Sequence, residues 1–125
     1  MKEIMAVIRP EKVNQTRQAL QEVGCGSFTA RKVQGRGRGK VDFKVLHGAE
    51  EGRDEAIAHL GVSPRLLPKR LITLIVKDEE KDKVVQAIIN ANKTGNCGDG
   101  KIFVFPINDA IRVRTGERGD SALTE

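Results

Sequence analysis

The chain runs through one layout twice. Glu3–Arg9 ("EIMAVIR") is a short apolar run stopped by Pro10, and Leu71–Val76 ("LITLIV") is a second, more uniformly apolar one. Each leads into a stretch with apolar residues three and four apart, and then into another strand-like run. Short apolar runs between breakers read as strands, and the three-four spacing reads as one face of a helix. In the first half, Val13, Thr16, Leu20 and Val23 form that face, Gly24 and Gly26 stop it, and "SFTARKV" alternates Phe28, Ala30 and Val33 with polar residues. In the second half, Asp78 is placed to cap the helix, with Glu79 and Glu80 in its first turn. Val84, Val85, Ile88 and Ile89 form the stripe, Asn92 and Thr94 end it, and "KIFVFPI" is a fourth strand. "AIRVRTG" reads as a short fifth strand, and Gly119–Glu125 as a frayed tail.

The order is β-α-β, a long interlude, β-α-β and a short strand, which is the ferredoxin-like split βαβ pattern of an α+β domain. The 125 residues suit a single domain over 1–125. The interlude, about 37–67, breaks the periodicity with glycine and charge and leaves room for a short helix near Asp54–Leu60. A stretch of this kind in a compact domain is a functional loop. Two helices cover one face of a four-stranded sheet. The strands offer few polar positions for the other face, so self-association is expected.

Composition narrows the function. Four Phe with no Tyr or Trp make the core aliphatic. A net charge of +5 attracts anions without choosing among nucleotides, RNA and acidic proteins. Cys25 and Cys97 form no metal-ligand spacing and read as reduced thiols of a cytoplasmic protein. "MKEIMAVIRP" is too short and too charged for a signal peptide, and no apolar run approaches the roughly 20 residues of a membrane span. No nucleophile–base pair stands out, and His47 and His59 lie in the long loop without a clear partner, so the chain is expected not to be an enzyme and to hold no resident metal.

The densest chemical signal is "TGNCGDGKIFVFP" at Thr94–Pro106. Gly95, Gly98 and Gly100 allow turns whose N–H groups can form a concave anion site, and Lys101 adds a point charge suited to phosphate. The spacing is not that of a Walker A loop. The rival reading is a tight helix-to-strand turn in which Asp99 hydrogen-bonds its own backbone. Arg112 and Arg114 alternate, so on a strand they would share a face and suit bidentate phosphate contacts. Arg36, Arg38 and Lys40 in "GRGRGK" read on their own as a charged loop.

These residues resemble the nitrogen regulatory P-II family. "TGNCGDGKIF" is similar to its TGxxGDGKIF signature, "IRVRTGERG" to its C-terminal loop and "IMAVIRPEKV" to its first strand. "GRGRGK" and "LPKRL" sit where its long T-loop begins and ends. The resemblance implies a trimer that binds ATP or ADP, with Mg²⁺ accompanying ATP, in clefts between subunits. It also implies that 2-oxoglutarate is sensed beside the phosphates. Carried over by position, Gly98, Asp99, Gly100 and Lys101 would hold phosphates and ribose, Arg112 and Arg114 would reach phosphates, and Arg38 would meet phosphate. Ile8, Thr29, Gly35 and Ile75 would line the base and sugar, and Lys69 would meet the 2-oxoglutarate carboxylate. Gly39 stands where the family usually has the glutamine that helps hold metal and effector, which alters the effector site. Without any tyrosine, uridylylation of a T-loop tyrosine is impossible. The missing glutamine, a T-loop longer than usual and "PKRLITLIV" resemble the nitrogenase-associated NifI branch, nearest its second type. That implies a homotrimer or a hetero-oligomer with a paralogous subunit, and dinitrogenase as target. Two alternatives stand beside it: an ordinary P-II regulator of an ammonium transporter or assimilation enzyme, and an RNA-binding ferredoxin-like domain. The second is disfavoured, because Phe103 and Phe105 lack the glycine-aromatic surroundings that RNA readers of this fold use. No nucleic-acid partner or membrane insertion is therefore expected.

Overall fold

In the computed structural model, residues 1–36 and 66–124 are described. Four antiparallel strands, β1 (Lys2–Ile8), β2 (Thr29–Gly35), β3 (Leu67–Val76) and β4 (Lys101–Pro106), form one sheet in the order β2-β3-β1-β4. Helices α1 (Val13–Glu22) and α2 (Lys81–Asn92) pack on one face. This is the expected α+β, ferredoxin-like arrangement.

The period-two pattern of the strands builds the core. Ile4, Ala6 and Ile8 of β1 and Ile72, Leu74 and Val76 of β3 point at the helices and meet Leu20, Val84 and Ile88. Fully burying one such aliphatic side chain is worth about 1.5–3 kcal/mol. One polar link joins the helices inside this layer. The Asn92 amide donates to Thr16 Oγ1 at 2.9 Å and to the Ile88 carbonyl at 2.9 Å, while the Thr16 hydroxyl donates to the Lys12 carbonyl at 2.7 Å.

Among the described residues nothing covers the opposite sheet face. By register, Met5, Val7, Leu71, Ile75, Phe103 and Phe105 lie on it, and Phe103 and Phe105 remain 45% and 40% exposed.

Several local expectations change. Asp78 caps no helix. It opens a 3₁₀ turn, and its carboxylate takes a hydrogen bond from the Met1 ammonium at 2.9 Å, which holds its pKa below the ordinary value. β2 is an edge strand and largely exposed, Ala30 included, rather than half buried. In α2, Val84 and Ile88 are buried, Val85 only partly so, and Ile89 remains exposed. The expected fifth strand is reduced to a single bridge, Ile111 with Arg118, because the chain turns at Val113–Thr115 before a ladder can form. Gly119–Leu123 is a 3₁₀ turn rather than a frayed end. The expected short helix at Asp54–Leu60, the histidines of the long loop and most of that loop lie outside the described residues.

Candidate functional site

The loop between α2 and β4 is built from inside by one carboxylate. α2 ends with Lys93 N–H on the Ile89 carbonyl, and the chain leaves extended. Asp99 Oδ2 then accepts from the backbone N–H groups of Thr94 at 2.8 Å and Gly95 at 3.0 Å, and Oδ1 accepts from the Thr94 hydroxyl. The Arg9 guanidinium closes the arrangement from the end of β1. It donates to Asp99 Oδ1 at 2.7 Å and to the Cys97 carbonyl at 3.0 Å. The Thr94 hydrogen bonds come first, and Arg9 next, among the reasons the Asp99 carboxyl stays well below the usual carboxylate range.

Thus the first half of the glycine-rich turn already holds an anion, the protein's own. The Asp99 carboxylate is turned onto its own loop, as in the rival reading of a tight helix-to-strand turn. It fixes the loop on which a phosphate would rest, and the N–H groups of Thr94 and Gly95 are engaged by it. The stretch left to meet a ligand is Gly98–Lys101. Gly100 has φ +125°, and a Cβ there would stand 2.2 Å from the Val7 carbonyl oxygen. The loop therefore lies directly on the backbone at the end of β1. A Cβ at Gly98 would meet the Arg9 guanidinium at 3.3 Å. Arg9 escaped the sequence reading. The signal that could have found it is a single carboxylate in a glycine loop, which calls for a cation from elsewhere.

The other candidates divide by sheet face. Lys101 pairs with Val7, Thr29 with Thr73, Lys69 with Val33 and Ile75 with Glu3, and by strand register these candidates share the uncovered face. Ile8 points the other way and is 2% exposed, so its side chain belongs to the core and only its backbone borders Gly100. Gly35 ends β2 opposite Leu67. Arg38 and Gly39 lie outside the described residues.

Arg112 and Arg114 do not share a strand face, because the strand is absent. Arg114 is exposed in the turn, whereas the Arg112 side chain is 13% exposed and pairs with Glu117 at 3.0 Å. Its Nη2 donates to the Ser121 carbonyl at 2.5 Å and to the Thr124 carbonyl. Cys25 and Cys97 are free thiols, and burial, then the charge of Glu80, pushes Cys25 up. Backbone N–H groups at Gly98–Gly100 and the Lys101 ammonium are donors of the kind that phosphate requires, while the Arg112 guanidinium is taken up by Glu117, Ser121 and Thr124.

The family model for nitrogen regulatory protein P-II matches residues 1–117. This chain belongs to the P-II family. Among its relatives is "Nitrogen fixation nifHD region GlnB-like protein 2" of Methanobacterium ivanovii, 48% identical over 98% of this chain and 99% of that protein. The protein of the same description from Methanococcus maripaludis is also 48% identical, over 98% and 100%. These likenesses put the chain in the nitrogenase-associated NifI branch of the P-II family. "Nitrogen regulatory protein P-II" of Rhodospirillum rubrum is 40% identical over 98% of this chain and all of that protein. The crystal structure of Arabidopsis thaliana PII bound to citrate superposes with a TM-score of 0.74 at 30% identity, covering 99% of this chain and 90% of that one. P-II proteins are regulatory signal transducers that form trimers. Among the described residues no helix is long and apolar enough to cross a membrane.

Proposed function

We propose that this P-II chain is a sensor of nitrogen, carbon and energy status that binds ATP or ADP and responds to 2-oxoglutarate. It regulates nitrogenase by docking the loop at about 37–67 on dinitrogenase. The observation that carries the nucleotide part is the loop at Thr94–Lys101, held by Asp99 and Arg9 so that Gly98–Lys101 stands open at the end of β1. The nitrogenase part rests on the relatives named for the nifHD region. The uncovered sheet face, with Phe103 and Phe105, suits burial in a homotrimer or in a hetero-oligomer with a paralogous subunit.

In this reading Lys101, Arg112 and Arg114 take phosphate, with Arg38 joining from the long loop. Mg²⁺ accompanies ATP as counter-charge. Thr29, Gly35 and Ile75 line the base and sugar, and Lys69 meets the 2-oxoglutarate carboxylate. The effectors act by linkage. Ligands that hold the long loop in a non-docking shape must bind that shape better, and a shift from mostly docked to mostly free needs about 5 kcal/mol of differential affinity.

Calorimetric titration of ATP-Mg²⁺, with and without 2-oxoglutarate, tests this. ATP binding strengthened by 2-oxoglutarate is expected of a complete sensor. ATP binding without that coupling would mean the effector site, altered at Gly39, needs the paralogous subunit. Absence of ATP binding would overturn the reading. Lys69→Ala is expected to keep ATP binding and lose the 2-oxoglutarate response, and an unchanged response would remove Lys69 from the effector site.

A further inference from the structure

Arg112 sits beneath a cap made by its own chain. Its guanidinium has five N–H bonds. Nη2 directs its two at the carbonyls of Ser121 and Thr124, and Nη1 pairs with Glu117 at 3.0 Å. Nε is buried and without a hydrogen-bond partner among the described residues. One N–H of Nη1 remains, and a bidentate grip on phosphate needs two parallel donors. A phosphate at Arg112 must therefore displace Glu117 or the turn at Gly119–Leu123. Arg114, two residues on, is exposed in the adjoining turn.

We infer that the C-terminal 3₁₀ turn is a competitor for the nucleotide site, docking on Arg112 when the site is empty and released when phosphate takes the guanidinium. The inference rests on the reading of Arg112 as a phosphate ligand. Three features make the exchange feasible. The turn offers neutral carbonyls, whereas phosphate offers full charge, and charge-assisted hydrogen bonds are the stronger kind. The turn buries none of its residues, so its release exposes little apolar surface. The docked turn also leaves the Nε–H buried without a partner among the described residues, so docking does not satisfy the guanidinium in full. The apparent nucleotide affinity is then reduced by the fraction of molecules in which the turn is docked.

Amide hydrogen exchange on the intact chain, with and without ATP-Mg²⁺, tests the exchange directly. Faster exchange at 119–124 with ATP is expected, and unchanged or slower exchange would overturn the inference, slower exchange meaning that the tail closes over the nucleotide. Calorimetry on a chain ending at Asp120 is expected to give ATP binding about three- to tenfold tighter than the full chain. Arg112→Ala in the full chain separates the two levels. If it leaves ATP affinity unchanged, the phosphate role of Arg112 fails and the competition fails with it. If it weakens ATP while the shortened chain binds no better than the full one, the phosphate role stands and the competition is overturned. Should the shortened chain not fold, the exchange measurement on the intact protein decides.

Discussion

Val23–Phe28 and Lys93–Gly100 hold equivalent places in the two halves of the chain, each returning it from a helix to a strand. The first is closed by backbone alone. Gly24, at φ +83°, donates to the Gln21 carbonyl and Cys25 to the Leu20 carbonyl, the paired bonds of a Schellman turn. The second is closed by side chains, with Asp99 gathering Thr94 and Gly95 while Arg9 reaches in from the other half of the chain. A short backbone turn suffices to reverse direction, as the first connection shows. The second is more elaborate than chain reversal requires. That excess, placed beside Lys101 and an open stretch of backbone, is the strongest internal argument for a ligand there.

The sharpest way to break the comparison is to add one methyl group to each connection. Gly100→Ala drives a Cβ into the Val7 carbonyl, and backbone cannot step aside cheaply, so a loss of about 3 kcal/mol in unfolding free energy is expected. Gly24→Ala has open space around it and meets only the left-handed backbone penalty, about 1 kcal/mol. Equal losses in denaturant titrations would mean that the second connection does not lie on β1 in solution.

Asp99→Asn keeps the shape of the side chain and removes its charge. ATP-Mg²⁺ affinity is expected to fall about tenfold as the loop loosens, and the thermal midpoint at neutral pH to drop with loss of the ionised carboxylate. Arg9→Leu should do the same, and the double variant should be no worse than the worse single one, because the two residues serve one clamp. Fully additive losses would show that they act separately.

The halves are also tied to each other. Thr16→Val keeps volume and removes the hydroxyl that α1 offers to Asn92, leaving buried amide hydrogen-bonding capacity unmet at the end of α2. A loss of about 1–2 kcal/mol is expected. A neutral result would mean that water takes over the hydroxyl's place.

What was legible in the sequence follows the same division. Apolar periodicity placed β1, β3, α1 and α2 correctly, because burial of Ile4, Ile72, Leu20 and Ile88 decides those elements and burial is written in spacing. Gly24 ended its helix as read, since the backbone conformation it adopts is local. Features that depend on distant partners were misread. Asp78 looked like a cap until the Met1 ammonium claimed it, and Arg9 went unread as the cation that joins Asp99 from β1, although a turn in which Asp99 bonds its own backbone was among the readings. Alternation at Arg112 and Arg114 suggested a strand, but alternation alone cannot supply a neighbouring strand to pair with. The signature motif and the possibility of a turn held by its own carboxylate were both visible, whereas the guanidinium that closes it was not.

Acid should distinguish the two connections most finely. Asp99 has its folded pKa depressed, as do Asp78 and Asp109, the last because its carboxylate accepts from the Ala110 and Gly119 N–H groups and pairs with Arg118. A depressed carboxyl stabilises the fold fully above its unfolded value and loses that contribution as pH falls toward the folded one. The thermal midpoint should therefore be level above about pH 5 and decline below about pH 4, with a shallower decline in Asp99→Asn. Locally, the Thr94 and Gly95 amide resonances should titrate only at a pH well below the ordinary carboxylate range. Those of Gly24 and Cys25, bonded to carbonyls, should not follow a carboxylate at all. Titration of Thr94 and Gly95 near pH 4 would mean that the clamp on the second connection is open in solution, and the contrast between the two halves would lose its physical basis.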